Sequence, residues 1–279
     1  MSGFFSALVD GVEGMAGALA QRWLAYGDGL FESIAILHGQ MPLLPLHWAR
    51  LQMGCTRLKL PVPDWPVLNA EAQNMAKRFP NAVLKVMLGA GGEARGYARS
   101  DAPLKRALLV YPAPIEDQNL WQHGLAICIC ETTLAAQPLL AGLKHLNRLE
   151  QVMARAEWAD PSIADGLMSN TSGLVVCATS ANVFARINGR WHTPEILNCG
   201  VAGVMRAHIL QANPQIQVRP ISLTDIQNAE ALALTNAVRG ARPVGVLRLN
   251  QREVRFDPRF FDEVHGFNLG AAAAGRLAC

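Results

Sequence analysis

The sequence predicts an α/β protein of the α+β kind, built as two domains. Three observations carry this. The chain runs to 279 residues, more than a single hydrophobic core usually organises. Short β-branched and aromatic runs alternate with segments whose apolar residues recur at helical spacing. A polar stretch, "APIEDQNLWQHG", separates two such series. The expected domains are therefore 1–112, a smaller α/β domain, and 125–279, a larger one, with 113–124 as the interdomain linker.

The elements follow in order. Short apolar stretches around "ALVDGV" open the chain. "LAYGDGLFESIAILHGQMPLL" reads as two strands joined through "HGQ". Leu46, Ala49/Arg50, Met53 and Leu58 fall at helical spacing, and Pro61, Pro63 and Pro66 then punctuate the chain before a second helix over 65–79. Strands are expected at "AVLKVMLGA" and "RALLVYPAP", separated by a Gly-rich loop. Past the linker, "LAICICETTL" reads as a strand, and 139–160 as a strand end and a helix. "DGLMSNTSGLVVCATSANVFARINGRWHTP" reads as successive strands with turns at "NTSG" and "NG". "NCGVAGVMRAHILQAN" is a helix opened by glycines. A short strand at "QVRPIS", a helix near 222–230, and strands at "ALALTNA" and "PVGVLRL" complete the series.

Composition narrows the function classes. With 51% hydrophobic and 17% charged residues the chain is globular rather than disordered. A net charge of +3, with arginines scattered rather than clustered, argues against a nucleic-acid surface. The six cysteines form no C-x-x-C pair and read as reduced, buried thiols. The apolar N-terminus lacks a basic n-region and is interrupted by Asp10 and Glu13, and no run of 18 apolar residues occurs. A cytoplasmic protein with no membrane partner is expected.

Lysine is scarce: of 25 basic residues only Lys59, Lys77, Lys85, Lys105 and Lys144 are lysines. Lys144 stands in "LLAGLKHLNRLEQ", on an extended approach to a helix that Asn147 and Glu150 would open as a capping box. A lysine partly withdrawn from water favours its neutral amine, the form Schiff-base chemistry needs. Taken alone, the stretch fits a surface lysine beside a helix better. In "GVAGVMRAHIL", Gly200 and Gly203 leave amides open at a helix N-terminus, which suits a phosphate and equally an ordinary loop. Asn236 in "TNA" and Arg50 are further anion ligands by type. "GAGGEARGY" lacks the G-K-[ST] ending of a phosphate loop and reads as a flexible connection, one able to carry Arg95 and Tyr97 over a site. Seven histidines show no paired metal-ligand spacing, so no metal is expected. His145 is either a proton-relay group or structural.

Taken together, "YGDGLFES", "HWARLQ", "LKHLNRLEQ", "SANVF", "GVAGVMR" and "TNA", in this order, resemble the fold-type IV enzymes that use pyridoxal 5′-phosphate (PLP). That group includes branched-chain and D-amino-acid aminotransferases and the 4-amino-4-deoxychorismate lyases. The lysine segment is most similar to the lyases, as are "VLKVMLGAGGEARGY" and "YPAP". The resemblance spans about residues 5–250. It implies two α/β domains with the cofactor in the cleft between them, in a homodimer. It implies that Lys144 holds the cofactor covalently and acts as acid and base. Arg50, the amides of Val204 and Met205, and Asn236 with Ala237 would hold the phosphate, and Asn147 would approach the phenolic oxygen. The substrate would be 4-amino-4-deoxychorismate, which carries two carboxylates; Arg95, Tyr97 and Tyr111 are candidates to bind them.

One position departs from the family. A glutamate normally stands five residues before the Asn of "S-x-N-x-F" and pairs with the pyridine nitrogen; here that position is Cys177. A thiol supplies no negative charge to hold the pyridinium proton. Three outcomes follow: a lyase driven by aromatisation, substitution by another acid such as Asp165, or an impaired cofactor-binding homologue. An aminotransferase is the rival activity, and Cys177 weighs against it more than against a lyase.

Overall fold

The computed structural model describes residues 6–13, 22–92, 96–115, 120–249 and 252–264. The chain divides into two compact units: Met1–Pro114 with Leu143–Asn147, and Ile115–Gly142 with Arg148–Cys279. The short segment carrying Lys144 thus belongs with the first unit, not with the 125–279 domain in which it was expected.

The first unit is an antiparallel sheet of five strands in the order β2-β1-β5-β4-β3. Its elements are β1 (Ser6–Val9), β2 (Val12–Glu13), α1 (Arg22–Tyr26), β3 (Gly29–Ile36), α2 (Leu44–Leu58), α3 (Trp65–Arg78), β4 (Ala82–Gly89) and β5 (Lys105–Pro112). Asp10 and Gly11 turn between β1 and β2 with φ of 51° and 82°, the double left-handed conformation that a two-residue Asp-Gly hairpin needs. At "HGQ" the chain also reverses, but the second strand expected there is reduced to the single Leu37–Gln40 bridge. Pro45 fits the first turn of α2, where its missing N–H costs nothing, and helix replaces strand. Asp64 caps α3 by accepting from the Val67 amide at 3.1 Å. Leu30 and Ile34 of β3, Leu84, Val86 and Leu88 of β4, Leu51 of α2 and Leu68 of α3 share one buried core.

The second unit is a mixed ten-stranded sheet, β11-β10-β9-β13-β14-β6-β7-β8-β12, with β15 paired to β14. In chain order it contains α4 (Leu120–His123), β6 (Leu125–Ile129), α5 (Leu149–Arg155), β7 (Ile163–Ser169), β8 (Leu174–Ala178), β9 (Asn182–Ile187) and β10 (Arg190–Thr193). After these come α6 (Val204–Ala212), β11 (Gln217–Val218), β12 (Ile221–Ser222), α7 (Leu223–Gln227), β13 (Ala231–Asn236), β14 (Gly240–Arg248), β15 (Glu253–Arg255) and a 3₁₀ turn, Pro258–Glu263. β6 runs parallel to both β14 and β7. The end of the expected linker is the helical turn α4, with Leu120 buried.

The capping box expected at Asn147 and Glu150 does not form. Helix α5 starts at Leu149, with Arg148 at its N-cap and no side-chain cap. The Asn147 amide nitrogen donates to Gly27 O at 3.0 Å, and the Glu150 carboxylate accepts from the Ala135 amide at 2.8 Å. Tertiary partners outbid the local motif for both residues. Among the described residues, no helix is long and apolar enough to cross a membrane, and no group of three or more His, Cys, Asp or Glu is placed to hold a metal.

Candidate active site

In the first unit the Lys144 segment is stitched to the edge strand β3. Phe31 N donates to Lys144 O and Leu146 N to Gly29 O, both at 2.9 Å, with a bridge between Leu30 and His145. Glycine is required at position 29: a Cβ there would lie 2.3 Å from Leu88 O and 2.9 Å from Leu146 Cδ1. Pairing sets side chains opposite one another on the same face. Lys144 accordingly lies beside Phe31, its Nζ 4.3 Å from the ring centroid. Lys85 of β4 reaches the same ring at 5.4 Å. Tyr111 of β5, opposite Val83 in the β4–β5 register, shares this face two positions along from Lys85.

The neighbouring residue on β3, Glu32, points to the other face, beneath α2. It is fully buried, accepts from His47 Nδ1 at 2.7 Å and takes both Nε and Nη2 of Arg50, at 2.7 and 2.5 Å. Burial alone would raise the Glu32 pKa. The Arg50 charge and the hydrogen bonds from His47 and Arg50 overcome it and hold the group at about 2. Burial pushes His47 below the usual histidine range against the pull of Glu32, with the Arg50 and Lys144 charges adding to the fall. An ionised carboxylate only accepts, so a neutral His47 carries its proton on Nδ1.

In the second unit three turns converge at one end of the sheet. Gly203 is the N-cap of α6 and offers no side chain to the first-turn amides of Val204 and Met205. A Cβ at 203 would lie 2.0 Å from Asn182 Oδ1, so any larger residue there would displace the Asn182 side chain. Asn182 Nδ2 in turn donates to Val201 O at 2.9 Å. The Asn236 side chain shapes the turn after β13. Its Oδ1 accepts from the Val238 and Arg239 amides at 3.1 and 2.8 Å, and its Nδ2 donates to Ser180 O at 3.3 Å.

Cys177 on β8 is buried, and burial first, then the charges of Asp165 and Cys199, pushes its thiol up to about 12. It is therefore a neutral group at physiological pH. Asp165, the acid considered as a substitute for the missing glutamate, is fully engaged elsewhere. Its Oδ1 accepts from the Gly166 and Thr179 amides and the Thr179 hydroxyl, and its Oδ2 from the Ser180 hydroxyl at 2.7 Å. It holds the 179–180 turn.

Of the candidate substrate ligands, Tyr111 shares the Lys144 face, whereas Tyr97 is 90% exposed and packs edge-on against Tyr26 at 5.9 Å. Arg95 lies outside the described residues. Sequence reasoning overlooked Glu32, His47 and Lys85. The signal for the first and last was an ionisable residue inside an apolar strand, in "LFESIAI" and "AVLKVMLG".

Residues 29–247 match the amino-transferase class IV family. The chain belongs to that family. Among its class IV relatives, an aminodeoxychorismate lyase from Vibrio harveyi is 32% identical over 244 residues, spanning 85% of this chain and 90% of the relative. The 4-amino-4-deoxychorismate lyase from Pseudomonas aeruginosa superposes with a TM-score of 0.84 at 38% identity, over 92% of this chain and 97% of that one. A hypothetical aminotransferase from Mycobacterium tuberculosis, solved in its PLP-bound form, shares the class IV fold at 18% identity. Its TM-score is 0.76, over 91% of this chain and 94% of that one.

Proposed function

We propose that the protein is a PLP-dependent lyase that converts 4-amino-4-deoxychorismate into 4-aminobenzoate and pyruvate. The observation that carries this reading is the Lys144 segment, stitched to β3 in a chain that resembles two such lyases over most of its length. The residues suit the cofactor. The uncapped start of α6 offers amides to an anion, and Lys144 offers an amine beside an apolar ring. When bound, PLP supplies an electron sink for the carbon that loses its proton.

The roles assigned are these. Lys144 would hold the cofactor covalently, and as a free amine it would take the proton from the amine-bearing ring carbon of the substrate. Enolpyruvate leaves from the neighbouring carbon as the ring becomes aromatic. The Val204 and Met205 amides, with Asn236 and Ala237, would hold the phosphate, and the family resemblance assigns Arg50, which Glu32 already engages, to the same group. Asn147, through its bond to Gly27, fixes the end of the Lys144 segment. Cys177 would face the ring nitrogen, and a neutral thiol there would favour elimination over transamination. Tyr111, Tyr97 and Arg95 attend the substrate carboxylates.

A cytoplasmic homodimer completes the reading. The free cysteines support the first part, and the exposed apolar stripe of Leu149, Val152 and Met153 on α5 supports the second.

The test is direct. PLP-loaded protein given enzymatically generated 4-amino-4-deoxychorismate should release 4-aminobenzoate and pyruvate in equal amounts. Conversion of amino acids to keto acids without 4-aminobenzoate would instead make it an aminotransferase. Cofactor binding with neither product would make it an impaired homologue.

A further inference from the structure

We propose that Cys128 and Cys130 form a peroxide-reactive thiol pair, in which Cys128 is the oxidation site and Cys130 closes a disulfide onto it. The pair lies in the second unit and does not depend on the lyase reading.

Residues two apart along a strand point to the same face. Cys128 sits on β6 and Cys130 one residue past its end, and both pack into one apolar cluster with Ala154, Trp158, Cys177 and Cys199. β6 pairs with β7 so that Cys128 stands opposite Gly166. Glycine leaves there the space that Cys130 fills: a Cβ at 166 would lie 2.5 Å from Cys130 Sγ and 2.9 Å from the Trp158 ring. Cys128 Sγ lies 3.9 Å from the carbonyl oxygen of Asp165, the residue before Gly166. The two sulfurs therefore converge on one peptide of β7. Two residues along an extended chain, their Cα atoms stand about 6.6 Å apart, within the span of a disulfide.

Exposure and charge single out Cys128. Among the described cysteines, Cys55, Cys130, Cys177 and Cys199 are buried, and Cys128 alone has partial access to solvent. Burial pushes Cys55 up to about 11 and Cys177 up to about 12, and raises Cys199 as well. The hydrogen bond from Cys130 brings Cys128 the other way, below the usual thiol range, against burial and the charges of Glu157 and Asp165. Donating that bond holds Cys130 in its protonated form. A thiolate with solvent access and a second thiol beside it is the arrangement that peroxide oxidises and a disulfide then resolves. The Cys128 thiolate attacks hydrogen peroxide: an S–O bond forms, the O–O bond breaks, and the hydroxide released takes a proton to become water. Sulfur is oxidised to the sulfenic acid by the two electrons that the peroxide gains. With the charge on Cys128 gone, Cys130 loses the partner that held its proton. Its sulfur attacks that of Cys128, an S–S bond replaces the S–O bond, and the hydroxide leaves with the Cys130 proton as a second water.

The experiment treats PLP-loaded full-length protein with hydrogen peroxide in a Cys279→Ser background, which removes the thiol that lies outside the described residues. Two thiols per chain should be lost, dithiothreitol should restore both, and peptide mapping should find Cys128 and Cys130 joined within one peptide. Cys130→Ser keeps a donor beside Cys128 but no second thiol, so dimedone should label Cys128 as the sulfenic acid. Cys130→Ala loses the donor as well. Iodoacetamide alkylation of Cys128 near neutral pH should then slow at least about threefold against Cys130→Ser, with its pH midpoint moved up. Cys128→Ser should leave Cys130, Cys177 and Cys199 unoxidised under the same exposure. Oxidation that begins at another cysteine, or a Cys128 that peroxide leaves intact, would overturn the proposal. A sulfenic acid on Cys128 that never closes onto Cys130 when both thiols are present would overturn the pairing.

Discussion

The two faces of the first unit's sheet treat charge in opposite ways. Beneath α2, Glu32 is fully buried, yet His47 and Arg50 meet both of its oxygens at 2.5–2.7 Å. On the other face, one residue along β3, the Phe31 ring lies under the ammonium groups of Lys144 and Lys85. A buried charge whose partner comes from the same fold is scaffold, because its energy is settled on folding. The Lys85 ammonium is the other case, since among the described residues it meets the Phe31 ring and no carboxylate. The comparison separates two jobs that sequence alone runs together, since both faces read as charges inside apolar strands.

The largest effect should come from the open face. Lys144→Ala is expected to cut turnover by more than about a thousandfold, since it removes the covalent anchor and the proton carrier together. Borohydride should then no longer fix PLP to the protein. Turnover near the wild-type rate would refute the assignment. Stability should respond little, because the backbone bonds to Phe31 and Gly29 do not use the side chain.

The core face should respond in the reverse sense. Glu32→Leu leaves Arg50 buried without its carboxylate and is expected to cost about 3–5 kcal/mol in urea unfolding. Lys85→Met, which removes a charge with no carboxylate partner among the described residues, should stay within about 0.5 kcal/mol of wild type. Equal losses in the two variants would erase the distinction between the faces. Acid offers a second reading of the same contrast. The Glu32 pKa is about 2 in the folded protein against an ordinary 4.5. Its contribution is therefore complete above pH 4.5 and is lost as pH falls towards 2. The shift corresponds to about 3 kcal/mol. Unfolding free energy measured over that window should fall less steeply in Glu32→Leu.

How much of this could be read from the residues differs by level. The apolar runs placed β4 and β5, and Asn188-Gly189 marked a tight turn that the backbone makes with positive φ; the turn at Asp10-Gly11 went unread. Glycine at 203 was legible as the opening of α6. Long-range partners were not legible. The start of α5 moved because Asn147 and Glu150 found Gly27 and Ala135, and Asp165 proved to be the anchor of the 179–180 turn. The parallel placement of β6 between β14 and β7 leaves no local trace either.

The smallest expected effect tests whether the ring itself contributes. Phe31 presents a quadrupole to both ammonium groups, and such contacts are worth about 0.5–1 kcal/mol where water has partial access. The ring favours the charged form of each amine, so its loss lowers the pH at which Lys85 gives up its proton. Phe31→Leu keeps an apolar side chain on β3 and leaves the backbone pairing with Lys144 in place. The titration midpoint of the Lys85 ammonium, followed by NMR, should move to lower pH by about half a unit, the equivalent of that energy. An unmoved midpoint would leave Lys85 without a measurable link to the ring.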